Sequence, residues 1–284
     1  MGSLRVAVVG HVEWTTIVRV DRLPAVGEIC STRTIWQGPA GGGAVAAVRL
    51  AALAGSCTFL TALGADAEAD LARQALAERG VQVVAARRDG PTSRAVSLVD
   101  GSGERTTLTI GERLAPAGHD PLDWTALGGY DAVYFTAGDV PALRLARAAA
   151  VLVATSREAA TVRAAGVALD ALVGSANDPD ERCRPGTLPQ PPGLLVFTDG
   201  ARGGRYFTAS GCGGRYPAEP PSGELADTYG VGDNFAAALT AALGSGMAAP
   251  DALRHAARCG ADTATVRGPY DAERLALVAA AVPG

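Results

Sequence analysis

The stretch Asp227-Thr228-Tyr229-Gly230-Val231-Gly232-Asp233-Asn234-Phe235 decides how this chain is read. A glycine turn ends in an acid, and the acid opens an alanine- and leucine-rich run. Phe235, Leu239 and Leu243 recur at i, i+4 and i+8, which predicts a helix with those side chains on one face. Gly230 and Gly232 let successive backbone N–H groups turn toward the positive end of that helix, a place for an anion. A carboxylate beside such a site, here Asp233, is of use when it handles a proton. A phosphate-holding loop next to a base is what phosphoryl transfer to a hydroxyl needs. An N-capping role would account for Asp233 alone, but not for the whole Asp-Thr-x-Gly-x-Gly-Asp run.

Composition narrows the chemistry further. The 284 residues include 25 basic side chains, and every one is arginine. Without lysine there is no P-loop, no protein-kinase strand lysine and no Schiff-base amine. A nucleotide site must then rely on backbone amides, Mg²⁺ and Arg. A net charge of −4 with no basic cluster argues against a nucleic-acid partner. Hydrophobic residues at 48% and charged residues at 19% are those of an ordinary soluble globule. Cys30, Cys57, Cys183, Cys212 and Cys259 contain no Cys-x-x-Cys pair, so neither zinc nor a disulfide framework is indicated, and reduced thiols in a cytoplasm are expected. His11, His119 and His255 are scattered, which disfavours a histidine metal site or a Ser/His triad. The apolar run Leu4–Val9 is strand-length with Glu13 close behind, so no signal peptide or membrane span is expected.

The length fits one α/β domain, 1–284, with a small appendage. Apolar runs at Leu4–Val9, Val133–Phe135, Val151–Ala154, Ala171–Val173 and Leu194–Thr198 predict buried parallel strands. Helical patterns at Gly43–Leu53, Asp66–Arg79, Pro141–Ala149 and Ser156–Ala165 lie between them. Their alternation predicts a doubly wound, mainly parallel sheet flanked by helices, with ligands at the carboxyl ends of the strands. Two stretches break the pattern. Glu28–Trp36 reads as β-rich, and Ser93–Ile110 reads as a hairpin around Asp100-Gly101-Ser102-Gly103, with one exposed face over Thr106–Ile110. The proline-rich tract Arg184–Gly193 is a loop.

The opening stretch resembles the second signature of the ribokinase-like (PfkB) family of sugar and nucleoside kinases, usually Asp-Thr-x-Gly-Ala-Gly-Asp-x-Phe, with Val231 its one departure. The resemblance implies that Asp233 is the catalytic base, also touching the substrate. It also implies that the amides of Gly230, Val231, Gly232 and Asp233 form an anion hole for the transferred group, with Gly230 and Gly232 meeting the nucleotide. Gln37-Gly38-Pro39-Ala40-Gly41-Gly42-Gly43-Ala44-Val45-Ala46-Ala47 resembles the first signature, Gly-Gly-x-x-x-Asn-x-Ala. That places Gly38, Gly41 and Gly42 at the substrate, with Gln37 for the first Gly and Gly42 for the Asn that normally binds the sugar. The family often has Asn and Asp where Glu13 and Thr15 stand, so Glu13 is expected to accept from substrate hydroxyls, a solvated loop acid being the alternative. Asp139-Val140-Pro141 resembles Glu-Ile-Pro and turns Asp139 toward the cleft, compatibly with an N-cap.

Asn177-Asp178-Pro179-Asp180-Glu181 resembles the Asn-x-x-Glu motif that organises Mg²⁺-bound water and nucleotide phosphates, with Asp180 at the Glu place and Glu181 behind it. Mg²⁺ keeps several waters, so a shorter acid acting through water is compatible; a plain turn is the alternative. Thr198-Asp199-Gly200-Ala201-Arg202-Gly203-Gly204 resembles Thr-x-Gly-x-x-Gly, which sets Thr198, Gly200 and Gly203 at the nucleotide. Ala154-Thr155-Ser156-Arg157 stands where the family often carries Asp-x-Asn and points to no substrate. The two irregular regions, about 13–36 and 93–110, correspond to the family's small β-lid. The resemblance spans the whole chain and implies an ATP- and Mg²⁺-dependent kinase of a small sugar. A nucleoside kinase with Trp14 or Trp36 stacked on a base, and a ligand-binding or regulatory relative without turnover, stay open. So do a monovalent cation near Asp227 and Tyr229 and a homodimer through the lid. Glu13 and Asp139 in the cleft favour a neutral acceptor over a phosphorylated one; the opposing feature is Arg33, Arg94, Arg105 and Arg113 in or near the lid.

Overall fold

Short apolar runs become strands and alanine-rich runs become helices in the order the sequence predicts. The computed structural model describes residues 4–32 and 35–270, so Arg33 lies outside the described residues. The chain runs β1 (Val6–Val9), β2 (Glu13–Arg19), β3 (Ile35–Ala40), α1 (Gly42–Ala54), β4 (Cys57–Leu63), α2 (Ala67–Ala77) and β5 (Val81–Arg87). It continues through β6 (Arg94–Val99), β7 (Arg105–Ile110), β8 (Ala132–Phe135), α3 (Val140–Ala146), β9 (Val151–Thr155), α4 (Ala159–Ala165) and β10 (Ala171–Ser175). Then follow β11 (Leu194–Thr198), β12 (Gly204–Thr208), β13 (Gly213–Tyr216), α5 (Val231–Gly244) and α6 (Ala249–Thr263).

Nine strands form the large sheet in the order β13-β12-β11-β10-β9-β8-β1-β4-β5. From β11 to β5 the neighbours pair in parallel, and only β12 and β13 are antiparallel, at one edge. Strands such as Val6–Val9 and Ala132–Phe135 are buried at every position because helices cover both faces. Residues of α1, α2, α5 and α6 fill one face, and residues of α3 and α4 the other. α5 is buried nearly all round, not on one face, because its alanines let α1 and α6 approach closely. The start of α1 is fixed by contact with the chain leaving β1. A Cβ on Gly43 would lie 2.5 Å from the His11 carbonyl oxygen, so the backbones touch there. The first turns of α1 and α5 thereby meet the carboxyl ends of β1, β8, β9 and β10.

The second sheet has the order β3-β2-β6-β7. Three expectations change here. Glu13 opens strand β2 and is not in a loop. Glu28–Thr32 is irregular, and the strand expected over Glu28–Trp36 begins only at Ile35 and runs on to Ala40. β7 is an edge strand exposed at every residue, so the alternation in Thr106–Ile110 does not report a buried face. Among the described residues no helix is long and apolar enough to cross a membrane.

Candidate active site

The loop before α5 turns at Gly230, whose φ of 75° is left-handed and favours glycine. Gly230 is the N-cap, no side chain caps the helix, and Asp233 is its third residue. The N-capping alternative for Asp233 is therefore set aside. A helix start leaves amides such as those of Gly232 and Asp233 without carbonyl partners in their own helix. The helix dipole adds its positive end at the same point.

Asp233 is half-buried, against the first turn of α1. A Cβ on Gly42 would lie 2.9 Å from Asp233 Oδ1 and 3.7 Å from His11 Cε1, so three chain segments converge at this carboxylate. Its pKa is lifted from 3.8 to about 6, first by the surrounding protein bulk. The negative charges of Glu181 and Glu13 push the same way, while Arg105 and Arg157 oppose them.

Gly41, with φ of 82°, passes over His11 and the Glu13 side chain. Burial pushes His11 down to about 3, with Arg113 and Arg157 adding to it, so the ring is neutral at any working pH. Its Nδ1 meets no protein partner. Glu13 is only 4% exposed and accepts from Arg113 Nε at 3.1 Å. Arg105 donates to the Thr228 carbonyl at 2.9 Å and lies over the Tyr229 ring, which ties β7 to the loop before α5. Burial raises the Tyr229 hydroxyl to about 12, and Thr15 is its hydrogen-bond partner.

On the other flank Arg157 reaches Asp178 at 2.5 Å and Glu181 at 2.7 Å, and Glu181 also accepts from the Ser175 amide at 2.8 Å. Asp180 is exposed on the short turn Pro179–Glu181. Glu181, one position after the expected acid, is thus the carboxylate whose charge reaches Asp233. Asn177 joins Asp199 in the tight turn after β11, where Gly203 has φ of 77° and a Cβ would meet the Tyr216 carbonyl oxygen at 2.2 Å. Thr198, Gly200 and Gly203 therefore neighbour the Asn177 segment.

Two expected residues do not join the floor around Asp233. Asp139 caps α3, its Oδ1 accepting from the amides of Ala142 and Gly118, both at 2.8 Å. Gly38 packs against the Trp36 ring. Trp36 meets Tyr270 edge to face at 5.8 Å and Trp14 packs on the core, so both tryptophans are occupied in packing. Arg94 is spent on Asp66 and Glu68. Sequence reasoning missed His11 and Arg157. The signal for Arg157 was its place just past the carboxyl end of β9, where such sheets put ligands.

Arg157 already engages Asp178 and Glu181, so on this turn a hydrated Mg²⁺ would be met through water by the exposed Asp180, with Asn177 beside it. Among the described residues no three His, Cys, Asp or Glu group as direct ligands. The Asp227 carboxylate is met by the amides of Tyr229 at 2.7 Å and Gly268 at 3.0 Å and by Arg19 at 3.2 Å. With its charge already countered, that carboxylate does not fit a monovalent cation. A cavity of about 890 Å³ opens between Asp100–Gly103 and the loops at Glu224–Thr228 and Ala264–Arg267. Its lining includes Thr228 but not Asp233, so it stands beside the loop and not over the acid.

Residues 3–187 and 145–274 match the family model of the pfkB family carbohydrate kinases. An ATP-dependent ribose-1-phosphate kinase of Halopiger xanaduensis is 29% identical over 307 aligned residues, covering 98% of this chain and 97% of that protein. Among solved structures, an adenosine kinase of Sinorhizobium meliloti superposes with a TM-score of 0.80 at 18% identity, covering 98% of this chain and 99% of that one. A ribokinase of Arabidopsis thaliana complexed with ribose and ATP gives 0.73 at 20% identity, with the same coverages.

Proposed function

The chain belongs to the pfkB family of carbohydrate kinases, and on that premise we propose that it transfers the γ-phosphoryl group of ATP to a hydroxyl of a small sugar, with Asp233 as general base. The observation that carries this is the placement of Asp233: a carboxyl lifted to about 6, at the open end of a helix, against the glycine turn of a second helix. The acceptor oxygen bonds to the γ-phosphorus as its proton passes to Asp233, and the bond to the bridging oxygen breaks to release ADP. The amides of Gly230–Asp233 face the charge on the transferred group, each such donor being worth roughly 10²–10³ in rate. The turn at 177–181 would hold a hydrated Mg²⁺ through water, and the ion would supply neutralisation of phosphate charge. The small sheet acts as a lid, and Arg105 on Thr228 is its latch to the loop.

ADP release with a panel of sugars, nucleosides, ATP and Mg²⁺ tests the activity and separates a sugar kinase from a nucleoside kinase. Release with no member of the panel would favour a non-catalytic relative. The pH profile tests the base. Asp233 must be ionised to accept a proton, so kcat/KM should be flat above about pH 6 and fall roughly tenfold per unit below it. A limb near 4 would remove a buried carboxyl from the chemistry.

A second reading concerns the acceptor. The case for a neutral acceptor rested on Glu13 and Asp139, yet Arg113 neutralises the first and capping occupies the second. Arg113 keeps 43% of its side chain exposed and acts on both His11 and Glu158, so a cation stands over this floor. The relative that acts on ribose 1-phosphate supports a phosphorylated sugar. Arg113→Met should then cost about tenfold in kcat/KM for a pentose phosphate and little for the free pentose. Equal losses on both would return the acceptor to the neutral class.

A further inference from the structure

Arg49, in the middle of α1, is 1% exposed and, among the described residues, is hydrogen-bonded to no carboxylate, the Asp262 charge reaching it only from a distance. Burial lowers its pKa more than the Cys259 and Asp262 charges raise it. Evolution rarely leaves a guanidinium in a core unless its fork holds something in place. Here Nε donates to Asn234 Oδ1 at 2.6 Å, Nη2 donates to Thr263 Oγ1 at 2.9 Å, and Nη1 meets no acceptor among the described residues.

The bond to Asn234 decides the matter. An arginine only donates, so it compels Asn234 to turn its oxygen toward α1 and its NH₂ away. That NH₂ then donates to the Gly230 carbonyl at 2.8 Å and to the Pro269 carbonyl at 3.2 Å. Gly230 is the left-handed residue that starts α5, and its carbonyl also accepts from the Asn234 amide at 2.9 Å. Thr263 ends α6, just ahead of the segment that carries Pro269. One buried side chain therefore joins the helix that opens with Gly41–Gly43, the turn before Asp233, and the loop after α6.

We infer that Arg49 is a positioning residue: through Asn234 it fixes the Gly230 turn, and with it the donor amides and Asp233. This rests on the reading of Gly230–Asp233 as the phosphoryl-facing loop. The charges that chiefly move the Asp233 carboxyl are those of Arg105, Glu181, Arg157 and Glu13, so the action assigned to Arg49 is on geometry.

Two variants test it. Arg49→Met replaces the fork and its desolvated charge with an apolar side chain of similar length, and leaves Asn234 Oδ1 without its donor. Asn234→Asp keeps a partner for Arg49, now with opposite charge, but loses both NH₂ bonds and turns an anion on two carbonyls. Each should unfold within a few degrees of the parent, or higher for Asn234→Asp, yet lose about 10–100-fold in kcat, the range set by misplacing a reacting group by about 1 Å. In Arg49→Met the acid limb near 6 should stay in place, and combining it with Asn234→Leu, which leaves no buried charge unpaired, should cost little more turnover than either single change. A merely structural role would lower the melting temperature with turnover per folded molecule unchanged. That result, or additive losses, would overturn the inference. If Arg49→Met does not fold, Asn234→Asp decides alone. Should Asp233→Asn keep its turnover, the reading of the loop fails first; should only the Arg49 and Asn234 variants keep theirs, the reading stands and this inference falls.

Discussion

Asp233→Asn is expected to lose about 10²–10⁴ in turnover while binding ATP nearly normally, and to melt at a higher temperature than the parent at pH 8. The first part follows from the loss of a proton acceptor at the open end of α5. The second follows from the lifted carboxyl. A folded-state pKa of about 6 against 3.8 unfolded means that the stability of this group is whole below 3.8 and declines as pH rises through 6. At pH 8 the ionised side chain costs at most roughly 3 kcal/mol, less to the extent that water reaches its half-buried edge. Asparagine removes that charge without changing the shape. Thermal unfolding at pH 8 and again near pH 4 checks the sign, because the gain should vanish at the lower pH. A variant that turns over like the parent takes Asp233 out of the mechanism. One that is less stable at pH 8 shows that the ionised carboxylate is welcomed by its surroundings.

The same destabilised acid explains why the sequence could be read so far. Gly230, Gly232 and Asp233 lie within one turn, so a short motif carries the loop's chemistry, and the apolar runs of the parallel strands need no partner to be recognised. What could not be read depends on distant pairings. That Glu13 is buried and ion-paired could not be read, because β2 buries Glu13 and Thr15 along with Ile17 and leaves Trp14 and Thr16 half-buried, so alternation places polar groups on the buried side. The first residues of that face turn toward the site, while Ile17 further along joins the apolar core. Arg113 finds Glu13 across 100 positions, and Arg49 finds Asn234 across 185. Asp180 and Glu181 show the finer limit: a motif fixes the neighbourhood of an acid, but the short turn after β10 decides which of two adjacent carboxylates faces inward.

Gly42 gives the sharpest test of geometry alone. Where the family signature has Asn, this chain has no side chain, and Asp233 Oδ1 lies beside the gap. The backbone at Gly42 is ordinary helix and, unlike Gly41 with its φ of 82°, has no left-handed φ, so alanine is compatible with the fold there. Its new methyl would nonetheless sit 2.9 Å from Asp233 Oδ1, closer than such contacts allow, and the flexible end of that side chain is what must yield. Helix α1 should keep its stability while the base swings out of line. A displacement of about 1 Å at a reacting group costs on the order of 10²-fold, so Gly42→Ala should lose about that much in kcat, with KM for ATP and the melting temperature nearly unchanged. The loss falls on the chemical step because the groups nearest the new methyl are the Asp233 carboxylate and the neutral His11 ring, 3.7 Å away at Cε1, and not the nucleotide flank. If Gly42→Ala instead turned over at the parent's rate, Asp233 would have room to relax, and its contact with α1 would not be what holds the base in position.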